Sequence, residues 1–323
     1  MRKEKTFGVS KNPKGFDSLI LFPVRDKKTS KVYTNTNPLP TSLFPMYLRG
    51  KKLKTMNSLK NKKVLITGGA SGIGKNMGRI VLEKGAELII WDINLENLNN
   101  TINELSKIGK TTGYQLDISK LEEIKSTAKE TKTIHGKIDV LINNAGIIVG
   151  KYFTEHTDRD IQTTMDINTL APMYITNEFL TGMIEANSGH ICNIASSAGF
   201  ISNPKMSVYA ASKWAMIGWS DSLRLEMKQQ KKNIGVTTVT PYYISTGMFD
   251  GVKSLVPILN PEKVAKKIIK AIESKRIILS MPWSMRFVRF FQGLFPIWLF
   301  DWFVGKVLGV YHTMDQFTGR KEK

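Results

Sequence analysis

The stretch KVLITGGASGIGKNMGRIVLEKG, residues 63–85, decides the fold. It opens with an apolar, β-branched run, continues through glycines at 68, 69, 72 and 74, and then sets apolar side chains at helical spacing as far as Gly85. That order predicts strand, tight turn and helix. Glycines in such a turn let the backbone approach a phosphate, and the first turn of the helix offers unpartnered N–H groups and partial positive charge. A glycine cluster alone reads equally well as a plain turn. The strand before it and the helix after it select the phosphate-binding reading.

The next apolar run, ELIIWD, ends in Asp92, about 20 residues beyond the turn, where a dinucleotide site needs an acid for the adenosine ribose. A carboxylate there repels a 2′-phosphate, which favours NAD over NADP, while Lys75 and Arg79 keep NADP open. Asp92 also suits an N-cap for a helix starting near Leu95. TTGYQLDIS (111–119) follows as a strand, then a helix from about Leu121 to Ile134, then KIDVLINNAG (137–146) as a strand running into a glycine turn. This rhythm predicts an α/β fold, a doubly wound parallel sheet in a single Rossmann-type domain. Ligands then bind beyond the carboxyl ends of the strands, where Gly68, Asp92, Asp117 and Asn143 to Gly146 fall.

Further along, YAASK places Tyr209 and Lys213 at i and i+4 with only Ala210, Ala211 and Ser212 between them. On a helix the two polar tips share one face. A tyrosine with an ordinary pKa near ~10 is too weakly acidic to act as a base at neutral pH, and a neighbouring ammonium is a way to favour phenolate.

Together, TGGASGIG (67–74), NNAG (143–146), a serine thirteen residues before Tyr209, and PYYIST (241–246) resemble the short-chain dehydrogenase/reductase family over roughly residues 60–280. WDIN, PYYISTGMFDG and VPILNPEKVAKKII are similar to its branch of membrane-associated retinol dehydrogenases and 17β-hydroxysteroid dehydrogenases. The resemblance implies a catalytic tetrad of Asn168, Ser196, Tyr209 and Lys213. Tyr209 is the general base, and Lys213 is the cation beside it and a partner of the nicotinamide ribose. Ser196 donates to the substrate oxygen, and Asn168 holds a water linking Lys213 to solvent. Ser197 is the rival serine, and the thirteen-residue spacing selects Ser196. The implied cofactor site comprises the glycine turn (Gly68, Ser71, Gly72, Ile73, Gly74), the acidic strand ends (Asp92, Asp117 and Ile118) and Asn144, Ala145 and Gly146. Tyr209 and Lys213 complete it, with Thr246 for the nicotinamide carboxamide. Ala210, Ala211 and Ser212 are expected to keep bulk away from the nicotinamide ring. One departure is Pro241-Tyr242, where the family often has Pro-Gly.

Composition sets the remaining bounds. The chain has 323 residues, 41% of them hydrophobic, which suits a folded globular protein. Cys192 is the only cysteine, so no intramolecular disulfide forms, and a reducing, cytoplasmic location is expected. Neither Cys192 nor the four histidines show metal-ligand spacing, so no metal is expected. Of the net charge of +20, half lies in residues 1–55, with 13 Lys+Arg against 3 Asp+Glu. This segment reads as an unstructured basic leader without a secretory h-region, and Met56 reads as a second candidate start. No nucleic-acid motif accompanies the basicity.

Residues 56–280 form the expected catalytic domain, and residues 281–323 an aromatic-rich helical extension. Ten of the 30 aromatic residues lie between Trp283 and Tyr311, interrupted by Pro296 and Asp301. No run is long enough to cross a bilayer. The extension is expected either to lie at a membrane surface, with Arg286, Arg289 and Lys306 among headgroups, or to act as a lid over the substrate cleft.

The expected function is NAD(P)-dependent interconversion of a lipophilic alcohol, such as a retinoid, steroid or fatty alcohol, with its aldehyde or ketone. The alternatives are an NADPH-dependent 3-oxoacyl or general carbonyl reductase, and a lipid-surface binding protein that keeps the fold. The expected partners are an apolar small-molecule substrate, a membrane surface contacted peripherally, and further copies of the chain in a homodimer or homotetramer.

Overall fold

In the computed structural model the described residues are 58–319. The basic leader, residues 1–55, and the candidate start at Met56 lie outside them. Seven strands form one parallel sheet in the order β3-β2-β1-β4-β5-β6-β7. They are β1 (Lys63–Thr67), β2 (Glu87–Asp92), β3 (Thr111–Gln115), β4 (Val140–Asn143), β5 (Gly189–Ile194), β6 (Ile234–Pro241) and β7 (Ile278–Met281). Five of them (β2, β1, β4, β5 and β6) have a strand on each side, and of these β1, β2 and β4 read as near-continuous apolar runs rather than alternating ones.

Successive side chains of β1 serve opposite faces. Val64 and Ile66 join a core with α1 (Gly72–Glu83), α2 (Leu95–Leu105) and α7 (Pro261–Glu273). Leu65 joins the other core, with α3 (Leu121–His135), α5 (Ala171–Glu185) and α6 (Ser207–Gln229). The helix expected from about Leu121 to Ile134 is thus α3. The chain winds outward from β1 to β3, then crosses back to place β4 against the other side of β1. The connections diverge at that switch, which leaves a crevice beyond the carboxyl ends of β1 and β4.

α4 (Asp158–Met165) continues through a π turn, Asp166–Leu170, into α5. Such a turn accommodates one extra residue in the helix and is frequent at functional sites; here it carries Asn168.

After β7 the extension divides into two parts. The first comprises a 3-10 turn (Trp283–Phe287), α8 (Val288–Leu294) and α9 (Ile297–Trp302). Most of its large side chains are exposed, among them Trp283, Phe290, Trp298 and Trp302, while Met285 is buried. From Val304 the chain turns inward. Val304, Val310 and Met314 are buried in a third core with Tyr209, Tyr242, Tyr243 and Met285. The extension therefore has a largely exposed first part and a buried second part. Among the described residues no helix is long and apolar enough to cross a membrane.

This division predicts opposite responses to truncating a side chain. Met314, 1% exposed, is a core residue, so Met314→Ala is expected to lower unfolding free energy by about 2–4 kcal/mol. Trp298, 71% exposed, should tolerate alanine within about 0.5 kcal/mol. Urea unfolding of both variants measures the difference.

Candidate active site

The crevice at the switch is a cleft of about 270 Å³. Of the implied catalytic and cofactor-site residues, all but Gly74 and Asn168 line it, whereas Asn143, Lys75, Arg79 and Ser197 do not. Gly74 instead makes it possible: a Cβ there would strike the Gly68 carbonyl oxygen and stand 2.8 Å from Asn144 Nδ2. Gly68 has φ +62°, and a Cβ on it would lie 2.9 Å from Ala145 Cα. The glycine turn is thus pressed against the end of β4, as close approach to a bound diphosphate requires. Ser71 stands at the N-cap of α1 without a side-chain cap bond, and Ser71, Gly72 and Ile73 line the cleft. The start of a helix there is a ready anion site. Across the cleft, the Thr246 side chain approaches to 3.6 Å from where a Cβ on Gly72 would stand.

Asn144 and Thr67 stitch this junction. Asn144 Nδ2 donates to the carbonyls of Thr67 and Gly68, each at 2.9 Å, and Thr67 Oγ1 accepts from the N–H groups of Asn144 and Ala145 at 3.0 and 3.1 Å. Asp92 braces the same loop from β2, accepting from Ala70 N at 2.9 Å and from Asn94 N at 3.1 Å. The N-cap of α2 is Asn94, which accepts from Asn97 N at 2.8 Å, and not Asp92 as its position suggested. Asp92 sits two residues too early, and its carboxylate bridges the glycine loop and Asn94. Asp117 accepts from the N–H and hydroxyl of Ser119 at 2.9 and 2.7 Å, and Ile118 follows it on the rim.

At the other end of the cleft stand Ser196, Tyr209 and Lys213, all buried. Ser196 Oγ accepts from Ala198 N at 3.1 Å, and its own hydrogen can be given to the Tyr209 oxygen or to a ligand beside it. Lys213 Nζ donates to the Ile194 carbonyl at 3.1 Å and lies 5.6 Å from the centroid of the Tyr209 ring. Asn168 meets them at Gly146: a Cβ there would lie 3.0 Å from Asn168 Oδ1 and 3.5 Å from Lys213 Nζ. The Asn168 amide is otherwise spent on the frame. Oδ1 accepts from Ile147 N at 2.9 Å, and Nδ2 donates to Ile147 O at 2.9 Å and Ser212 Oγ at 3.1 Å. Only the second lone pair of Oδ1 is left for the water expected of it.

Burial dominates the electrostatics. It pushes Tyr209 up to about 12, with the Ser196 hydroxyl pulling the other way, and it lowers Lys213 to about 8. Tyr209 is therefore held as a phenol in this geometry. Lys213 is not among the groups that shift Tyr209, and its Nζ is bonded to the Ile194 carbonyl. The small residues of YAASK also have a different reason from the one expected. Ser212 faces away from the cleft, donating to Tyr209 O at 2.7 Å, while Ala211 is exposed, so neither clears space for a ring. Ser212 instead ties α6 to the π turn through Asn168 and Thr169.

Three contributors were missed. Glu104 on α2 pairs with Lys75 at 2.6 Å and Arg79 at 2.8 Å, and nothing local marks it because the partners are brought together only by helix packing. Phe249 stands edge-on to Tyr209 at 6.2 Å between centroids. Ser212 was seen only as small, although its hydroxyl inside YAASK was a readable signal.

The short chain dehydrogenase family model matches residues 62–255, more than half of the chain. The chain belongs to the short-chain dehydrogenase family. It is an oxidoreductase acting on CH–OH groups. Epidermal retinol dehydrogenase 2 of Mus musculus is 36% identical over 278 residues, covering 84% of this chain and 89% of that protein. Estradiol 17-beta-dehydrogenase 11 of Pongo abelii is 31% identical over 246 residues, covering 75% and 82%. Among solved structures, a short-chain dehydrogenase/reductase from Burkholderia phymatum in complex with NAD superposes with a TM-score of 0.67 at 23% identity, over 72% of this chain and 93% of that one. A metagenomic short-chain oxidoreductase in complex with NADP gives 0.59 at 25%, over 70% and 97%. These two show the shared fold.

In this short-chain dehydrogenase the buried lysine has a stability signature. Its folded value, about 8, lies below its ordinary 10.5, so between them the unfolded chain binds more protons and stability rises with pH. Lys213→Met is expected to remove that rise, gaining of the order of 1–3 kcal/mol at pH 7 and little above pH ~10.5. Urea unfolding across this range checks it.

Proposed function

We propose that the protein interconverts a lipophilic alcohol and its aldehyde or ketone, with NAD as the preferred cofactor and Asn168, Ser196, Tyr209 and Lys213 as the working residues. The observation that carries this reading is the convergence of Ser196, Tyr209 and Lys213 at one end of a cleft whose other end is a glycine-lined helix N-terminus. A nicotinamide dinucleotide fits such a cleft, and when bound it supplies the hydride acceptor. Ser196 Oγ donates its hydrogen to the substrate oxygen and holds it beside Tyr209. In oxidation the Tyr209 phenol first gives its own proton up toward Lys213, and its oxygen then takes the substrate hydroxyl proton as hydride leaves the carbinol carbon; in reduction the phenol gives its proton to the carbonyl oxygen. Lys213, near neutrality by virtue of burial, passes protons past Asn168 Oδ1 at Gly146. Ile147, Ile244, Met248 and Phe249 make the wall beside these groups apolar, which suits a hydrocarbon substrate. Tyr209 held as a phenol favours a second reading of the same site, reduction of a carbonyl.

The preference for NAD rests on Asp92 together with Glu104. Asp92 keeps lone pairs for ribose hydroxyls, and Glu104 neutralises the two cations that would welcome a 2′-phosphate. The exposed aromatics of residues 283–303 support peripheral contact with a membrane, from which such a substrate is drawn.

Tyr209→Phe keeps the ring and removes the proton carrier. Oxidation of retinol or of long-chain alcohols is expected to fall roughly 10²–10⁴-fold while NAD still binds, as followed by NADH absorbance and by calorimetry. Near-normal turnover in that variant overturns the assignment. For the cofactor, Glu104→Gln frees Lys75 and Arg79, so kcat/KM for NADP should rise roughly two- to fivefold, the worth of an exposed ion pair, with NAD unchanged. A wild-type protein that already prefers NADP contradicts the role given to Asp92.

A further inference from the structure

α8 and α9 hold no buried residue. A helix as short as α8 with nothing buried is marginal in water, since nucleation costs more than a few backbone bonds return. Yet α8 reaches the catalytic half of the molecule twice. Gln292 Nε2 donates to the Phe200 carbonyl at 2.7 Å, and the Arg289 guanidinium lies 4.6 Å from the centroid of the Phe200 ring.

Phe200 closes the turn that begins at Ser196. Gly199 N donates to Ser196 O at 3.0 Å, and the N–H groups of Phe200 and Ile201 donate to Ser197 O at 2.8 and 2.9 Å. The opposite side of this turn is jammed against α6, where a Cβ on Gly199 would lie 2.9 Å from the Lys213 carbonyl oxygen. The turn that presents Ser196 is thus clamped between the helix of Tyr209 and Lys213 and a helix that has too little to hold it folded.

The exposed side of this platform fits a lipid surface bearing anionic headgroups. Trp283, Trp298 and Trp302 are exposed amphipathic rings, and Arg286 and Lys306 are exposed cations. Asp301 is the only acid between residues 282 and 314, and its carboxylate accepts from the Tyr311 hydroxyl. A second copy docked face to face would set these cations against their own equivalents, so charge favours lipid.

We propose that the protein is activated at the interface. Burial of the platform in an anionic lipid surface holds α8 folded, and Gln292, as a positioning residue, then fixes the Ser196 turn. This regulation rests on the catalytic and membrane readings given above.

The test uses the full chain with NAD and cyclohexanol, a water-soluble probe whose supply does not depend on partitioning, with and without vesicles of phosphatidylcholine and phosphatidylserine. The expected result is a rise in kcat of about threefold or more, as when a minor competent population becomes dominant. It is accompanied by slower amide exchange at residues 198–201. Gln292→Ala should float with vesicles and keep its lipid-free rate, yet lose both responses, whereas Gln292→Lys, which retains an N–H donor, should restore them.

The proposal is overturned if the intact protein fails to float, or floats without slowed exchange at 198–201. It is also overturned if Gln292→Ala responds like wild type, or if sedimentation shows a lipid-independent dimer covering the platform. Slowed exchange in wild type, lost in Gln292→Ala, without oxidation of cyclohexanol or retinol would sink the catalytic reading and leave the coupling standing.

Discussion

Everything in the site depends on how closely Gly74 approaches the carbonyl of Gly68, a contact with no room for a side chain. That approach brings the start of α1 over the end of β1 and lets Asn144 reach across from β4 to bond two carbonyls of the same loop. Asp92 braces the loop from β2 through Ala70. Three neighbouring strand ends are therefore tied to one glycine turn, so the floor of the cleft is rigid before any ligand enters. A methyl group at residue 74 would force these strand ends apart, because the obstacle, the Gly68 carbonyl, is backbone and cannot swing away.

The opposite end of the cleft is positioned by buried polar side chains rather than by backbone contact. Asn143 on β4 donates to Asn193 on β5, which donates to Ser220 on α6, both at 2.8 Å. Ser212, two turns earlier on α6, is bound by Asn168 from the π turn. Such a network fixes rotation and sliding of a helix where apolar packing alone tolerates slippage. It sets the register that presents Tyr209 and Lys213 to the cleft. The same dry surroundings raise the phenol and lower the ammonium, which moves the two acidities toward opposite protonation preferences.

The extension after β7 combines surface and core in consecutive residues. Its first half exposes aromatic side chains, and its second half supplies Val304, Val310 and Met314 to the core that surrounds Tyr209. Thr313 adds a polar anchor, 2.9 Å from the Tyr243 hydroxyl and 3.0 Å from Asn203 Nδ2. A surface element pinned on both sides to the catalytic core has a direct route for influencing it.

Local pattern was sufficient for the sheet, the helix boundaries such as α3, and the glycine turn, because each is set by periodicity and by backbone conformations that few residues adopt. Tyr209, Lys213 and the glycines could be singled out because their spacing is distinctive: one helical turn, or one phosphate-sized loop. Tertiary structure alone decided what each side chain faces. Residue spacing does not show that Glu104 meets Lys75 and Arg79, that Lys213 turns to a strand carbonyl, or that Ser212 points away from the cleft. Nor does an aromatic-rich stretch show which of its rings are buried. Burial and long-range pairing depend on which elements pack together, and that is a property of the whole chain rather than of any window within it.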